Sequence, residues 1–206
     1  MALQTLWYFT GLPQELVSII EKETAAEYDD ETAESRLLGG QILKEKRNSE
    51  NAWISTNTWL GGFCWHYVMQ ANKTNFIYDI SHFDGQNLQY TTYKKGMFYD
   101  WHTDAGLPNA TGLPPLTAPP FQRVQRKLER DGEYIRKLSF TLQLSDPTDY
   151  EGGNVEVQND AGEKHILPRQ KGSIAIFDSR ARHRVNEVTE GTRKSIVGWV
   201  VGPNWR

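Results

Sequence analysis

The chain has 206 residues and a mass of 23.6 kDa, the size of one domain or of one domain with a modest extension. Its 26 acidic and 23 basic residues leave a net charge of −3, which argues against a nucleic-acid partner, since such proteins usually present a basic domain or face. Cys64 is the only cysteine, so an internal disulfide and a cysteine-rich zinc motif are both excluded, and no apolar run nears the roughly 18 residues of a membrane span.

Residues 1–73 read as a mainly helical support. Pro13 suits a first helical turn, and Leu12, Leu16, Ile19 and Ile20 follow at helical spacing. The polar stretch from Thr24 to Arg36 reads as surface or loop. A second helix is expected from Trp59, Leu60, Phe63, Cys64, Tyr67 and Val68, and both apolar stripes are expected to face the core.

From residue 74 onward the pattern changes to short aromatic and β-branched runs separated by Gly, Asp and Pro. The runs are NFIYDI, LQYTTY, MFYDWHTD, KLSFTLQL, NVEVQ, SIAIF, HRVNEV and KSIVGWV. Turns are expected at Gly152-Gly153 and at Asp160-Ala161-Gly162. So many short strands predict an α+β chain that is mainly β. Its core is a double-stranded β-helix of jelly-roll or cupin-like form, with the helices at its N-terminal side. Residues 105–135 interrupt the pattern with a cluster of prolines, then a charged run. This insertion reads either as a lid or binding loop or as a disordered excursion. The expectation is one domain over residues 1–206.

The chemistry begins at Tyr99-Asp100-Trp101-His102-Thr103-Asp104. Residues two apart on a strand share a face, so His102 and Asp104 project together. An imidazole and a carboxylate are two parts of the facial triad that holds non-haem Fe(II) with open positions. Alone the pair is weak evidence, because a surface histidine beside a solvated aspartate is common. His183, at the start of the run after a buried strand, is a candidate third ligand. Ten residues on, Arg193 and Ser195 share a strand face. A guanidinium there, with no acid in its own strand, suits a carboxylate ligand or a distant acidic partner.

At this point the sequence resembles the Fe(II)- and 2-oxoglutarate-dependent dioxygenases, in particular the prolyl 4-hydroxylase-like branch with its compact bacterial and phage members. The family's H-x-D…H pattern falls on His102, Asp104 and His183. The branch's Y-x-x-G-x-x-Y-x-x-H-x-D is matched at Tyr93, Gly96, Tyr99, His102 and Asp104. Leu138–Ser145 followed by Glu151-Gly152-Gly153 matches the strand and turn between the ligand segments. The resemblance is close over residues 74–206 and loose before them.

It implies Fe(II) on the three ligands, and 2-oxoglutarate and O2 as cosubstrates, and it leaves room for ascorbate. It further implies Arg193 on the far carboxylate of 2-oxoglutarate and the Tyr93 hydroxyl against the same molecule. Gln143, Val185 and Ser195 are expected around it. Trp199 resembles an aromatic wall beside the substrate. Tyr99, three before His102, faces away from the ligands by strict alternation unless a bulge intervenes, and it is the weakest substrate candidate. Gly96 is expected to make a tight turn.

The implied reaction is hydroxylation of an unactivated C–H, with a prolyl residue in a peptide or protein as the first substrate. A free amino acid or small metabolite is the alternative. A cupin-like metal-binding barrel without oxygenase activity needs the three ligands but not Arg193, Tyr93 and Ser195. A purely structural phage protein leaves the triad unexplained. The N-terminus MALQTLWYFTGLPQ lacks the basic start and long apolar segment of a secretory signal, so a cytoplasmic setting is expected, in the cell or in an infected host cell. Oligomeric state is not legible.

Overall fold

Alternation along the strands sorts the chain into two sheets with a layer of side chains between them. The computed structural model describes residues 5–35, 43–105 and 134–205. In chain order the first elements are β1 (Leu6–Phe9), α1 (Gln14–Tyr28), β2 (Ala33–Glu34), β3 (Arg47–Asn48), β4 (Glu50–Ser55) and α2 (Trp59–Ala71). Then come β5 (His82–Phe83), β6 (Asn87–Lys94), β7 (Phe98–His102), β8 (Tyr134–Gln143), β9 (Tyr150–Gly152), β10 (Val155–Gln158) and β11 (Lys164–Ile166). The last are β12 (Ile174–Asp178), β13 (His183–Val185) and β14 (Val188–Pro203).

The major sheet runs β1-β12-β8-β14-β6-β4-β2, with β5 and β9 also pairing with β14, and the minor sheet runs β11-β10-β13-β7-β3. Every pairing is antiparallel, as expected for a jelly-roll core. One face of the major sheet carries Leu88 and Tyr90 of β6, Leu138, Phe140 and Leu142 of β8, and Ile174 and Ile176 of β12. These form one cluster with Val17 and Ile20 of α1 and Cys64 and Val68 of α2. The helices therefore cover that face. The alternate residues, Gln89, Thr91 and Tyr93 on β6 and Ser139, Thr141 and Gln143 on β8, turn toward the minor sheet, because successive strand side chains point to opposite faces.

Several expectations need correction. The part before residue 73 is not only helical, since it supplies β1, β2, β3 and β4. Thr24 lies inside α1 and is buried. Its hydroxyl donates to the Ile20 carbonyl at 2.8 Å, which removes the cost of a polar group on the core face. The buried stripe of α1 is Val17, Ile20, Thr24 and Tyr28, whereas Ile19 is half exposed. On α2, Trp59 is likewise exposed.

NFIYDI is not a strand. A π-helical turn over Asn72–Phe76 continues α2, and Ile77 ends it with a left-handed φ of 57°. The Asn72 side chain then accepts from the Tyr78 N–H at 2.8 Å and donates to the Tyr78 carbonyl at 2.9 Å, taking the place of a strand partner. The proline-rich insertion falls almost wholly outside the described residues.

Candidate active site

The expected ligands meet at the seam between the sheets. His102 ends β7 and His183 begins β13, and the two are directly paired in the ladder. Their rings lie 4.1 Å apart, centroid to centroid. Asp104 lies just past the end of β7, and its backbone N–H donates to the Ser179 carbonyl at 2.9 Å. Nε2 of His183 is 3.2 Å from Asp104 Oδ2, and Nε2 of His102 is 3.7 Å from Asp104 Oδ1. One donor atom from each residue lies within 4.8 Å of the other two.

Both imidazoles are oriented from behind. Nδ1 of His102 is 2.7 Å from the Asp100 carbonyl, and Nδ1 of His183 is 3.0 Å from the Ala181 carbonyl. A carbonyl only accepts, so each Nδ1 carries a proton, and each Nε2 is the ring atom turned toward Asp104, its lone pair available to a metal once that ring is neutral. Ser139 donates to Asp104 Oδ2 at 2.7 Å, leaving the carboxylate aimed inward.

Electrostatics follow from this packing. Burial, reinforced by the neighbouring His183, pulls His102 down to about 4, so its imidazole is neutral at physiological pH. Burial opposes the charge on Asp104, but the two imidazoles override it and hold the carboxyl well below the usual range. Burial likewise opposes charge on His183, and the adjacent Asp104 carboxylate overrides it and raises that imidazole. Two neutral-capable imidazoles and one carboxylate, with open space on one side, form the donor set of a non-haem Fe(II) site, and these residues fit that ion.

The ligands line a cavity of about 500 Å3, its open mouth included. Its walls also carry Tyr93, Arg193, Ser195, Val185 and Trp199. Arg193 is 3% exposed, lies 5.8 Å from the Tyr93 ring centre, and forms no ion pair with any described carboxylate. Burial lowers its pKa, with the phenols of Tyr150 and Tyr93 opposing, but a guanidinium stays charged. The side-chain polar atoms of Ser195, Thr141 and Trp199 are buried with no hydrogen-bond partner among the described residues. A buried cation beside orphaned hydroxyls is the complement of an absent polar anion, so this end of the cavity fits a dicarboxylate such as 2-oxoglutarate.

Gln143 occupies a narrower recess that shares Thr141, Val155 and Arg193 with the main cavity. Its amide donates to the Tyr150 hydroxyl at 3.0 Å and to the Ser145 carbonyl at 3.2 Å, so it supports Tyr150 from behind.

For Tyr99 the exception to strict alternation holds, because a bulge does intervene. From His183 to Val185 is two residues, but their partners, His102 and Tyr99, are three apart, so β7 carries a bulge. The extra residue returns Tyr99 to the ligand face, where its ring stacks on His102. Gly96 has the expected turn geometry, with φ of 80°. Two contributors escaped the sequence reading. Tyr150, two residues before Gly152-Gly153, lines the recess that Arg193 also lines, and its phenol opposes the fall in the Arg193 pKa. Arg47, on β3, places its guanidinium 4.6 Å over the Tyr99 ring and lines the cavity. Tyr150 was legible from its place beside the turn, whereas nothing local to Arg47 marks it.

Known proteins agree with this geometry. Residues 88–201 match the family model described as the 2OG-Fe(II) oxygenase superfamily. A PKHD-type hydroxylase of Picosynechococcus sp. is 30% identical over 196 residues, covering 93% of this chain and 77% of that protein. A Pseudomonas putida prolyl-4-hydroxylase superposes with a TM-score of 0.69 at 17% identity, over 97% of this chain and 94% of its own. A Trichoplax adhaerens prolyl hydroxylase, solved with a hypoxia inducible factor peptide fragment, gives 0.72 at 14% identity, over 95% and 83%. At those identities the structures speak for the jelly-roll fold. The family model spans more than half the chain, and the chain belongs to the 2OG-Fe(II) oxygenase superfamily.

Proposed function

We propose that the protein is a hydroxylase that acts on a prolyl residue of a peptide or protein, using Fe(II), 2-oxoglutarate and O2. The observation that carries the reading is the convergence of His102, Asp104 and His183 on the cavity that also receives Arg193, which pairs with no described carboxylate. Bound there, Fe(II) supplies the redox chemistry that couples oxidative decarboxylation of 2-oxoglutarate to insertion of one oxygen atom into a C–H bond.

The protein's own part is positioning. His102 and His183 hold the metal through Nε2, each fixed by its Nδ1–H to a backbone carbonyl, and Asp104 holds it through a carboxylate steered by Ser139. Arg193 binds the far carboxylate of 2-oxoglutarate, with Tyr93 and Ser195 beside it. Val185 and Trp199 exclude water from the wall where substrate enters. Trp199, backed by the Arg136 guanidinium 4.2 Å over its ring, offers a flat surface to a pyrrolidine ring. The prolyl choice is further supported by the prolyl hydroxylases among the structural neighbours.

A second reading, a free amino acid or small metabolite, is favoured by Arg47. Its Nε and Nη2 bond only neutral groups, those of Ser49, Asn51 and Gln89. Nη1 has no hydrogen-bond partner among the described residues, so a substrate carboxylate would find a charge there. Incubating the Fe(II)-loaded protein with 2-oxoglutarate and, separately, proline-containing peptides and free amino acids tests both readings. Mass spectrometry showing one added oxygen on a peptide proline supports the first, and on a free amino acid the second.

A further inference from the structure

Asp104 follows β7 and His183 begins β13, yet both hang on one turn. The backbone N–H groups of Asp104 and Ala105 each donate to the Ser179 carbonyl at 2.9 Å. The Ser139 hydroxyl that donates to Asp104 lies 2.9 Å from Ser179 Oγ. His183 Nδ1 is held by the carbonyl of Ala181, two residues further on. Residues 178–181 therefore set the position of the carboxylate and the rotation of the distal imidazole together.

That turn is itself fixed by Asp178, the last residue of β12. Its Oδ1 accepts from the Arg180 backbone N–H at 2.8 Å and from Arg180 Nε at 3.0 Å. Its Oδ2 accepts from Arg180 Nη2 at 2.6 Å and from the Tyr78 hydroxyl at 2.6 Å. Its own carbonyl accepts from the Ala181 N–H at 2.9 Å. Behind this clamp the Arg180 guanidinium lies 4.1 Å from the centre of the Trp205 ring, which meets Tyr78 edge-on at 4.7 Å. Asp178 does not line the cavity and is not one of the three converging donors. Charge-assisted bonds from a planar guanidinium have little angular freedom, so they suit a support that must keep its geometry.

We infer that Asp178, clamped by Arg180 and Tyr78, is a positioning residue for the metal site, setting metal affinity through the turn that seats Asp104 and His183. This rests on reading His102, Asp104 and His183 as metal ligands. Outer supports of this kind typically govern affinity by about 10- to 100-fold without contacting the ion.

The test is Co(II) titration of the full-length protein, followed by calorimetry and by the visible spectrum of the bound ion, beside thermal unfolding without metal. Asp178→Asn should weaken Co(II) binding by about 10-fold or more and alter the spectrum. Asp29→Asn is the matched control. Asp29 accepts from the Tyr90 hydroxyl at 2.7 Å and from Lys194 at 2.6 Å, a similar clamp on the helix side of the major sheet. It should leave Co(II) affinity and spectrum unchanged whatever it does to thermal stability. Tyr78→Phe removes one bond of the Asp178 clamp and should weaken binding less, and it decides the matter in the same way if Asp178→Asn does not fold. Wild-type affinity and spectrum in the Asp178 and Tyr78 variants, with only thermal stability reduced, would overturn the inference. Equal Co(II) binding by wild type and Asp104→Ala would instead remove the ligand assignment, and this inference with it.

Discussion

The ring of Tyr99 lies flat on that of His102, with centroids 3.5 Å apart and planes 14° from parallel. The bulge in β7 creates this contact, and Arg47 stacks on the same phenol. Burial, opposed by that guanidinium, pushes the Tyr99 hydroxyl up to about 12, so the ring is neutral at working pH. Tyr99→Phe should keep the stack and leave metal affinity near wild type. Tyr99→Ala removes a large, mostly buried ring and should cost about 3–5 kcal/mol of stability, with weaker metal binding. Thermal unfolding and metal titration of the two variants check this.

Arg193 should separate cosubstrate binding from metal binding. Arg193→Ala leaves a bound carboxylate unpaired in a buried site, a loss of about 2–5 kcal/mol in comparable charge pairs. The 2-oxoglutarate requirement should rise by at least about 30-fold on that scale, with Fe(II) affinity little changed. Equal loss of both affinities, measured by calorimetry, would contradict the role.

Gly153 controls the same corner from the backbone. Its φ is 62°, and a Cβ there would meet Val188 Cγ2 at 2.9 Å, Tyr150 Cε2 at 3.2 Å and Arg193 Cδ at 3.3 Å. Gly153→Ala should therefore destabilise the protein by about 1–3 kcal/mol and raise the 2-oxoglutarate requirement, because the guanidinium is displaced. Denaturant unfolding and a 2-oxoglutarate titration read the two effects.

The metal-free protein should lose stability at both ends of the pH scale. His183 is raised above the ordinary 6.5, so its pairing with Asp104 stabilises fully below that value and is lost as pH rises through the raised one. His102 is lowered, so its contribution is present above 6.5 and is lost as pH falls from there through about 4. Asp104, held below 3.8, loses its contribution on further acidification. Asp104→Asn should remove the alkaline loss in melts taken across pH. Metal binding to the wild type displaces the His183 proton, so affinity should climb with pH by about tenfold per unit until that imidazole is deprotonated.

The sequence was most legible where period-two alternation and motif spacing agreed. Leu138, Phe140 and Leu142 alternate with Ser139, Thr141 and Gln143 on β8, and the structure divides them between helix side and cavity side as the pattern requires. The spacing of His102, Asp104, His183 and Arg193 likewise pointed to residues that share one cavity. Tyr99 was ranked low because the bulge that turns it to the ligand face is a property of pairing between strands and leaves no local signature. NFIYDI has strand composition, but Asn72 satisfies the backbone that a ladder would have paired, and a tertiary contact outweighed propensity. Arg47 was missed because its value lies in register, opposite Tyr99 on β7. Residues 50–55 do alternate, with Ala52 and Ile54 buried and Trp53 and Ser55 exposed, a signal that a helical reading of the N-terminal part passes over.

The central claim is that three side chains from β7, its trailing residues and β13 hold one catalytic iron while a guanidinium on β14 grips the cosubstrate. Succinate formed from 2-oxoglutarate, with Fe(II) added or withheld, tests it most directly. Wild type should convert 2-oxoglutarate only with Fe(II), Asp104→Ala should be inactive while still folded by circular dichroism, and Arg193→Ala should recover part of its rate at high 2-oxoglutarate. Succinate formation that persists in Asp104→Ala, or its absence from folded, Fe(II)-loaded wild type supplied with 2-oxoglutarate and O2, would contradict the account.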